Sequence, residues 1–177
     1  CFYSDDHGET WQRSEPAPFE GAMSWASESK VAELPDGTIV LNSRTYVNDD
    51  SPSRLRTRSF SIDGGSTWSI LENDPALEKV SCNGSLIAVP CETADQGVAL
   101  LCSVPIGPSR THGTVYASLD GGRTWPIQKT IVPESFAYSS LLALPDGRIG
   151  LFYECDGYTE IRLVCFSLDW LLDSTAE

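Results

Sequence analysis

The 177-residue chain carries 25 acidic and 12 basic side chains, a formal net charge of −13, which argues against a nucleic-acid partner because phosphates require a basic surface. Hydrophobic residues make up 41% of the chain, 14 glycines and 11 prolines interrupt it, and no apolar run is long enough to span a membrane; this composition favours a turn-rich β domain. The six cysteines show neither the close pairs of a zinc site nor the framework of a small disulfide-bonded protein, so we interpret several of them as core residues and leave the redox compartment open.

The first predicted element is a short strand at residues 1–3, which leads into a turn at 4–11. The pattern of that turn, Ser-x-Asp-x-Gly-x-Thr-Trp, recurs at 61–68 and 118–125, so the three copies start 57 residues apart. Asp and Gly favour tight turns, the Ser and Thr hydroxyls can bond the same turn, and Trp supplies a large apolar anchor. We predict that each box is a hairpin turn whose Trp packs against its own sheet, and that the boxes are structural rather than catalytic.

Further strands follow in chain order between and after the boxes. Alternating or apolar runs are predicted to form strands at 30–34, 38–42, 55–60, 85–89, 98–102, 113–117, 140–144, 148–152 and 160–166. Pro-Asp-Gly turns at 35–37 and 145–147 join two of these pairs, and residues 167–170 look like a degenerate fourth box. No segment has helical periodicity. Four strands in each repeat describe a blade of an all-β propeller, of which 1–177 supplies about three blades as a single domain. Because closed propellers usually need more, we expect the chain to be the C-terminal half of a larger propeller.

The segments between the boxes narrow the choice of family. Boxes of this kind are shared by exo-α-sialidases (neuraminidases), sortilin-like receptors and other propellers, so the boxes alone do not indicate an enzyme. The run from Ser27-Glu28-Ser29 to Ser43-Arg44 resembles the sialidase stretch that carries a catalytic glutamate and then an arginine. Three later motifs also resemble sialidase motifs, in the same order: Pro108-Ser109-Arg110, Tyr138-Ser139-Ser140-Leu141 and Tyr153-Glu154.

This resemblance covers essentially the whole chain and implies half of a six-bladed sialidase propeller. It implies that Tyr138 is the nucleophile, that Glu28 is its base, that Arg44 and Arg110 bind the substrate carboxylate, and that Glu154 supports a further arginine. It also implies retaining hydrolysis of terminal sialic acids on glycans, with no metal and no organic cofactor. The family's general acid and first arginine have no match in this chain. We therefore expect them in a companion N-terminal half of the propeller, and expect the isolated chain to be inactive.

The chemistry of these residues is consistent with that reading. A sialic acid carries a carboxylate on its anomeric carbon, and the planar guanidinium of an arginine can hold a carboxylate through two hydrogen bonds. An anionic nucleophile would be repelled by that carboxylate, whereas a neutral phenol would not. A tyrosine titrates near pH 10 when unperturbed, so it needs a base such as Glu28. Sialidases with a tyrosine nucleophile are a recognised exception among glycosidases.

Each candidate also has a simpler interpretation. Glu28 could be a solvated loop residue, Arg44 and Arg110 could be surface residues, and Tyr138 could belong to the core. Glu154 lies among aromatic residues and is expected to have a partner if it is buried. We assign no catalytic role to His7 or His112, and the Asn83-Gly84-Ser85 sequon is of a form common by chance. The alternative function is a non-catalytic propeller that binds glycans or protein partners.

Overall fold

The computed structural model describes residues 1–20, 25–46, 55–78 and 82–173. Strands account for most of the elements in these ranges, and they follow one another with short connections. In chain order they are β1 (Phe2–Tyr3), β2 (Gln12–Arg13), β3 (Trp25–Glu33), β4 (Ile39–Tyr46), β5 (Leu55–Ser61), β6 (Glu72–Glu78), β7 (Ser85–Pro90), β8 (Val98–Pro105), β9 (Thr111–Ser118), β10 (Ile127–Ser135), β11 (Ser139–Ala143), β12 (Ile149–Cys155) and β13 (Glu160–Phe166). A 3₁₀ turn spans Asp156–Tyr158, and a short helix, α1, spans Leu168–Leu172.

The strands form antiparallel sheets in which neighbours in sequence are neighbours in space. Strands β3 to β6 form one four-stranded sheet and β7 to β10 a second, while β11 to β13 form a three-stranded sheet and β1 pairs with β2. These meandering sheets are the blades expected from the repeat, and the prediction of an all-β propeller fold is confirmed. The two Pro-Asp-Gly turns join β3 to β4 and β11 to β12, as predicted.

The three boxes share one local hydrogen-bond pattern. In the second box, the Ser61 hydroxyl donates to Asp63 at 2.8 Å and accepts the Gly65 N–H at 2.9 Å, while the Thr67 N–H donates to Asp63 at 2.9 Å. The first and third boxes repeat these bonds within 0.2 Å of the same lengths. The motif therefore encodes its turn through contacts that lie entirely within the box.

The packing of the box tryptophans differs from the prediction at one box. Trp68 and Trp125 are buried, but Trp11 is 65% exposed. The reason is that β1 and β2 form a sheet of only two short strands, which offers no broad apolar face in the described part of the chain. Trp125 also contacts more than its own blade, because its indole N–H donates to Asp74 of β6 at 2.9 Å. The third box therefore helps to join two blades.

The apolar core lies between the blades. One cluster lies between the β3–β6 and β7–β10 sheets and contains Val40, Leu77, Leu100 and Trp125. A larger cluster lies between the β7–β10 sheet and the last sheet and contains Leu101, Phe136, Leu151 and Leu171. Five of the six cysteines are buried or half-buried and all six are free, which agrees with their interpretation as core residues.

The C-terminal segment is not a fourth box. Residues 167–170 instead begin helix α1, and the Ser167 hydroxyl caps it by accepting the Trp170 N–H at 3.2 Å. Leu171 follows and is buried. The apolar residues after Trp170 therefore favour a helical turn that packs on the core, rather than a polar hairpin turn. Among the described residues, no helix is long and apolar enough to cross a membrane.

The meander separates two kinds of connection. In an antiparallel blade, the loops after the first and third strands lie at one end, and the loops after the second and fourth strands lie at the other. The Pro-Asp-Gly turns and the boxes belong to the first group. The segments that carry all five candidate site residues belong to the second group or lie on the strand ends next to it. The fold therefore places the candidate residues at the end opposite the boxes.

Candidate active site

A bulge in β3 turns Glu28 toward the neighbouring blades. Ser27 pairs with Arg44 and Lys30 pairs with Asn42, so Glu28 and Ser29 together lie opposite the single residue Ser43. Glu28 has φ of 45°, in the left-handed region that few non-glycine residues adopt. Bulges re-aim side chains and are frequent next to active sites. The Ser29 hydroxyl bonds that of Ser43 at 2.7 Å, which helps to hold the bulge.

Tyr138 lies immediately before β11, in a segment held by backbone hydrogen bonds. The Phe136 N–H donates to the Arg110 carbonyl, and the Ala137 N–H donates to the Glu154 carbonyl, both at 2.9 Å. The Glu154 N–H donates to the Tyr138 carbonyl at 2.9 Å, and its carboxylate accepts the Tyr138 N–H at 3.4 Å. Among the described contacts, Glu154 thus supports the backbone of Tyr138; the further arginine expected for it remains a prediction.

Glu28, Arg44 and Tyr138 meet in one hydrogen-bonded group. The Tyr138 hydroxyl donates to Glu28 Oε1, while Arg44 Nη1 donates to Glu28 Oε2 at 2.7 Å. Arg44 Nη1 also lies 3.2 Å from the Tyr138 hydroxyl oxygen. The Arg44 side chain is 10% exposed and that of Glu28 is 28% exposed, so this ion pair is shielded more than a surface pair. The simpler interpretations of Glu28 as a solvated loop residue and Tyr138 as a core residue do not describe this arrangement.

The charges of the group favour ionised Glu28 beside a protonated tyrosine. Burial acts to raise the pKa of Glu28, but hydrogen bonds from Tyr138 and Arg44 and the charges of Arg44 and Arg110 lower it below its usual value of 4.5. The hydrogen bond to Glu28 is the main cause that raises the pKa of Tyr138 above 10.0, and the two arginines oppose this rise. The phenol proton therefore lies next to a carboxylate that can accept it.

Arg110 lies over the ring of Tyr138. Its guanidinium carbon is 5.3 Å from the centre of the Tyr138 ring, a distance at which a cation is attracted to the ring face. The same carbon lies 5.5 Å from the ring of Tyr158, and Arg110 Nη1 donates to the Tyr158 hydroxyl at 3.1 Å. The half-exposed Arg110 thus contacts two tyrosines, and both arginines predicted to bind a carboxylate contact Tyr138.

Two further residues with buried polar atoms were not among the sequence-based candidates. Arg56 on β5 is 3% exposed; its Nε donates to Asn42 Oδ1 and its Nη1 donates to the Cys82 carbonyl at 3.1 Å. Gly84 allows this approach, since a Cβ there would lie 3.2 Å from the Arg56 guanidinium carbon. Asn83 has a buried side-chain oxygen without a hydrogen-bond partner among the described residues. The only sequence signal for Arg56 was a positive charge, which is scarce in this chain, on a strand that leads into a box.

One group of residues has the composition of a metal site but a different arrangement. The ligand atoms of Cys155, Asp156 and Glu160 lie within 4.8 Å of one another. Arg162 Nη2 forms ion pairs of 2.7 Å with both carboxylates, so the two already share a cationic partner. The arrangement is explained by an exposed ion-pair network on the β12–β13 hairpin.

Comparison with known proteins identifies the family of this chain. Residues 1–151 match the model of the BNR repeat-like domain. The chain belongs to the BNR repeat-like domain family. A sialidase of Micromonospora viridifaciens is 39% identical over 173 residues, which cover 96% of this chain and 25% of that protein. The predicted resemblance to the sialidases is thereby confirmed.

Solved structures give the same result at the level of the fold and the sequence. The leech intramolecular trans-sialidase, complexed with 2,7-anhydro-Neu5Ac, matches with a TM-score of 0.77 and 28% identity over 96% of this chain and 27% of that one. The intramolecular trans-sialidase of Ruminococcus gnavus, in complex with oseltamivir carboxylate, has a TM-score of 0.72 and 28% identity, covering 96% of this chain and 38% of that one. The chain therefore spans less than two fifths of the length of each of these three relatives.

Proposed function

We propose that this chain supplies the nucleophile, the base and two carboxylate-binding arginines of a retaining exo-α-sialidase. The contact of the Tyr138 hydroxyl with Glu28, which is itself paired with Arg44, is the observation that carries the proposal. A carboxylate that accepts the phenol proton is what a tyrosine nucleophile requires. The sialidases among the relatives support sialylated glycans as the substrate class.

The proposed reaction uses Tyr138 and Glu28 twice. In the first half, Glu28 takes the Tyr138 proton, the phenolate oxygen bonds to the anomeric carbon, and the bond from that carbon to the leaving oxygen breaks. The leaving oxygen is protonated by an acid that this chain does not contribute. In the second half, water replaces the tyrosine oxygen at the anomeric carbon and gives its proton to the conjugate base of that acid, while the proton held by Glu28 returns to Tyr138. Two displacements at one carbon retain its configuration.

Binding of the substrate is expected to make Glu28 a stronger base. The charges of Arg44 and Arg110 hold the pKa of Glu28 down in the free protein, against the opposing effect of burial. A carboxylate bound to both arginines neutralises part of that charge, so the pKa of Glu28 rises toward the value set by its burial. The base is then better matched to its proton transfer when the substrate is in place.

The remaining groups of the site belong, in this proposal, to companion blades of the same propeller. The outward face of the last sheet exposes Phe152, Leu163 and Ile161, at 42%, 50% and 73% respectively, and Phe2 and Trp11 are exposed at the other end of the blade series. Exposed apolar faces of this kind mark contact surfaces. The N-terminal half of the propeller would cover both and would bring the acid and the third arginine.

The test is hydrolysis of a methylumbelliferyl sialoside by the chain of residues 1–177, with and without the complementary half. We expect turnover only with both halves, and a loss of at least about 10³-fold in kcat in the Tyr138→Phe variant, which lacks the nucleophile. Tyr3→Phe, at the opposite end of the blades from the site, is the matched control and should keep full activity. Robust turnover by the isolated chain, or by Tyr138→Phe, would contradict the proposal.

Product analysis separates two fates of the tyrosyl intermediate. Free sialic acid indicates attack by water, as proposed here. Because two solved relatives are described as intramolecular trans-sialidases, an anhydro product formed by a hydroxyl of the same sugar is the competing outcome. Sialoside binding without any product from the complete propeller would favour the alternative, a non-catalytic glycan-binding propeller.

A further inference from the structure

Tyr158 is an exposed aromatic residue that the proposed reaction does not use. It lies in the four-residue connection 156–159, between β12 and β13. Cys155 and Glu160, on either side of this connection, form the last pair of the two strands. Its side chain is 61% exposed, so burial of the ring in a core does not account for its position. The contacts described for it join it to Arg110, through its hydroxyl at 3.1 Å and its ring at 5.5 Å.

The backbone of this connection adopts an unfavourable conformation. Asp156, Gly157 and Tyr158 have φ of 49°, 68° and 70°, so three successive residues lie in the left-handed region. L-residues other than Asn, Asp and Gly rarely adopt this region, and a bulky aromatic residue there is an outlier. A short hairpin does not require it, since four-residue loops are commonly built around ordinary type I turns. Strain of this kind is found where a side chain is held for a function.

Several contacts hold the connection in this shape. The Asp156 N–H donates to the Ser135 hydroxyl at 2.9 Å, which ties the loop to the end of β10. The Thr159 hydroxyl donates to the Asp156 carbonyl at 2.7 Å, and Arg162 donates to the Asp156 carboxylate at 2.7 Å. The left-handed turn is therefore fixed from both of its ends, and it directs the Tyr158 side chain to Arg110.

We propose that Tyr158 is a positioning residue that holds the Arg110 guanidinium, which contacts the rings of Tyr158 and Tyr138, in the orientation that receives the substrate carboxylate. The role rests on the proposed function, in which Arg110 binds that carboxylate. An arginine side chain loses much rotational freedom when it binds, and a side chain already held in place binds more tightly. The bond to Tyr158 uses one of the five N–H donors of the guanidinium, which leaves a fork for the carboxylate.

The experiment is a double-mutant cycle in the intact protein, with the companion blades present. The dissociation constant of an unsaturated sialic-acid analogue that carries the carboxylate is measured for the wild type, Tyr158→Phe, Arg110→Met and the double variant. Tyr158→Phe removes only the hydroxyl, and should weaken binding by about threefold to tenfold. KM should rise by a similar factor while kcat changes little, because the lost interaction serves the ground state and the transition state alike. The pH dependence of kcat/KM should not move, since Glu28 and Arg44 are untouched.

The cycle separates positioning from a structural role. In the Arg110→Met background, Tyr158→Phe should change the dissociation constant by less than about twofold, because the residue on which it acts is gone. Tyr3→Phe is the matched control: it makes the same substitution at the opposite end of the blades, where the Tyr3 hydroxyl donates to Gln12, and should bind the analogue like the wild type. Equal losses in both backgrounds, or no loss in Tyr158→Phe when the wild type binds, would overturn the role of Tyr158 but not the proposed function. A wild type that neither binds nor cleaves sialosides would instead refute the proposed function, and this role with it.

Discussion

The box tryptophans provide a test of how blades are held together, because one motif residue occurs in three environments. Trp125 is 6% exposed and Trp11 is 65% exposed. A buried tryptophan removes roughly 150–250 Å² from water, which at about 25 cal/mol per Å² corresponds to about 4–6 kcal/mol. Trp125→Ala should therefore lower the free energy of unfolding by about 3–5 kcal/mol, the usual range for such truncations. Trp11→Ala should cost about 1–2 kcal/mol, since only about a third of the side chain is covered.

A second pair of variants isolates the hydrogen bond between blades. The Trp125 indole N–H donates to the buried Asp74 at 2.9 Å, whereas the Trp68 indole N–H is buried without a partner among the described residues. Trp125→Phe strands a carboxylate oxygen of Asp74, whose pKa burial already raises above 3.8, and Trp68→Phe removes a donor that is unsatisfied. We expect Trp125→Phe to cost about 1–3 kcal/mol more than Trp68→Phe.

Urea unfolding followed by far-ultraviolet circular dichroism measures these differences without relying on tryptophan fluorescence. The m-values of the variants should match that of the wild type, which shows that the same surface is exposed on unfolding. Equal losses for Trp11→Ala and Trp125→Ala would refute the argument that burial between blades, rather than the box itself, determines the contribution of the tryptophan. Equal losses for the two Phe variants would refute the role of the Asp74 hydrogen bond.

Three further outcomes are expected. In the intact protein with its proposed activity, Arg44→Met removes a hydrogen bond and a charge that lower the pKa of Glu28. The acid limb of kcat/KM should therefore move to higher pH, and an unmoved limb contradicts this. Hydrogen bonds from Thr10 and Thr67 lower the pKa of Asp6 and Asp63, respectively, from 3.8 to about 2. The contribution of the two carboxylates to stability is therefore complete above pH 3.8 and is lost as the pH falls toward 2. Urea titrations at several pH values measure this loss. Gly113→Ala places a Cβ in a steric clash with the buried ring of Phe136, and should lower the melting temperature and weaken the adjoining site. Unchanged stability would show that the ring can shift freely.

The fold was largely predictable because its signals are local. The box hydrogen bonds lie within eight residues, so the pattern from Ser61 to Trp68 specifies its turn wherever it occurs. The Pro-Asp-Gly turns specify theirs in the same way. Burial of a box tryptophan is not local, since it depends on the sheet beside it, and so the exposure of Trp11 was not predicted. The helix at Leu168–Leu172 was missed because residues 167–170 resemble a box, while its stability depends on the burial of Leu171.

The site was predictable to the extent that the resemblance supplied its residues. Glu28 and Tyr138 are 110 positions apart in sequence, and composition alone does not bring them into contact. Two features have no sequence signal that we recognise. The bulge that aims Glu28 depends on how β3 pairs with β4, and the left-handed turn that aims Tyr158 has the sequence Asp-Gly-Tyr, which indicates only a turn.

These two features share a physical cause that explains why they lie at one end of the blades. Apart from His7, which has φ of 60°, the boxes and Pro-Asp-Gly turns have glycines where the backbone is left-handed, so that end of each blade is formed at little conformational cost. At the opposite end, Glu28 and Tyr158 adopt left-handed conformations that their side chains disfavour. Contacts such as Ser29 with Ser43 and Asp156 with Ser135 offset that cost. The chain thus combines one end that each blade specifies for itself with another whose geometry depends on neighbouring strands and blades, and the group around Tyr138 lies at that second end.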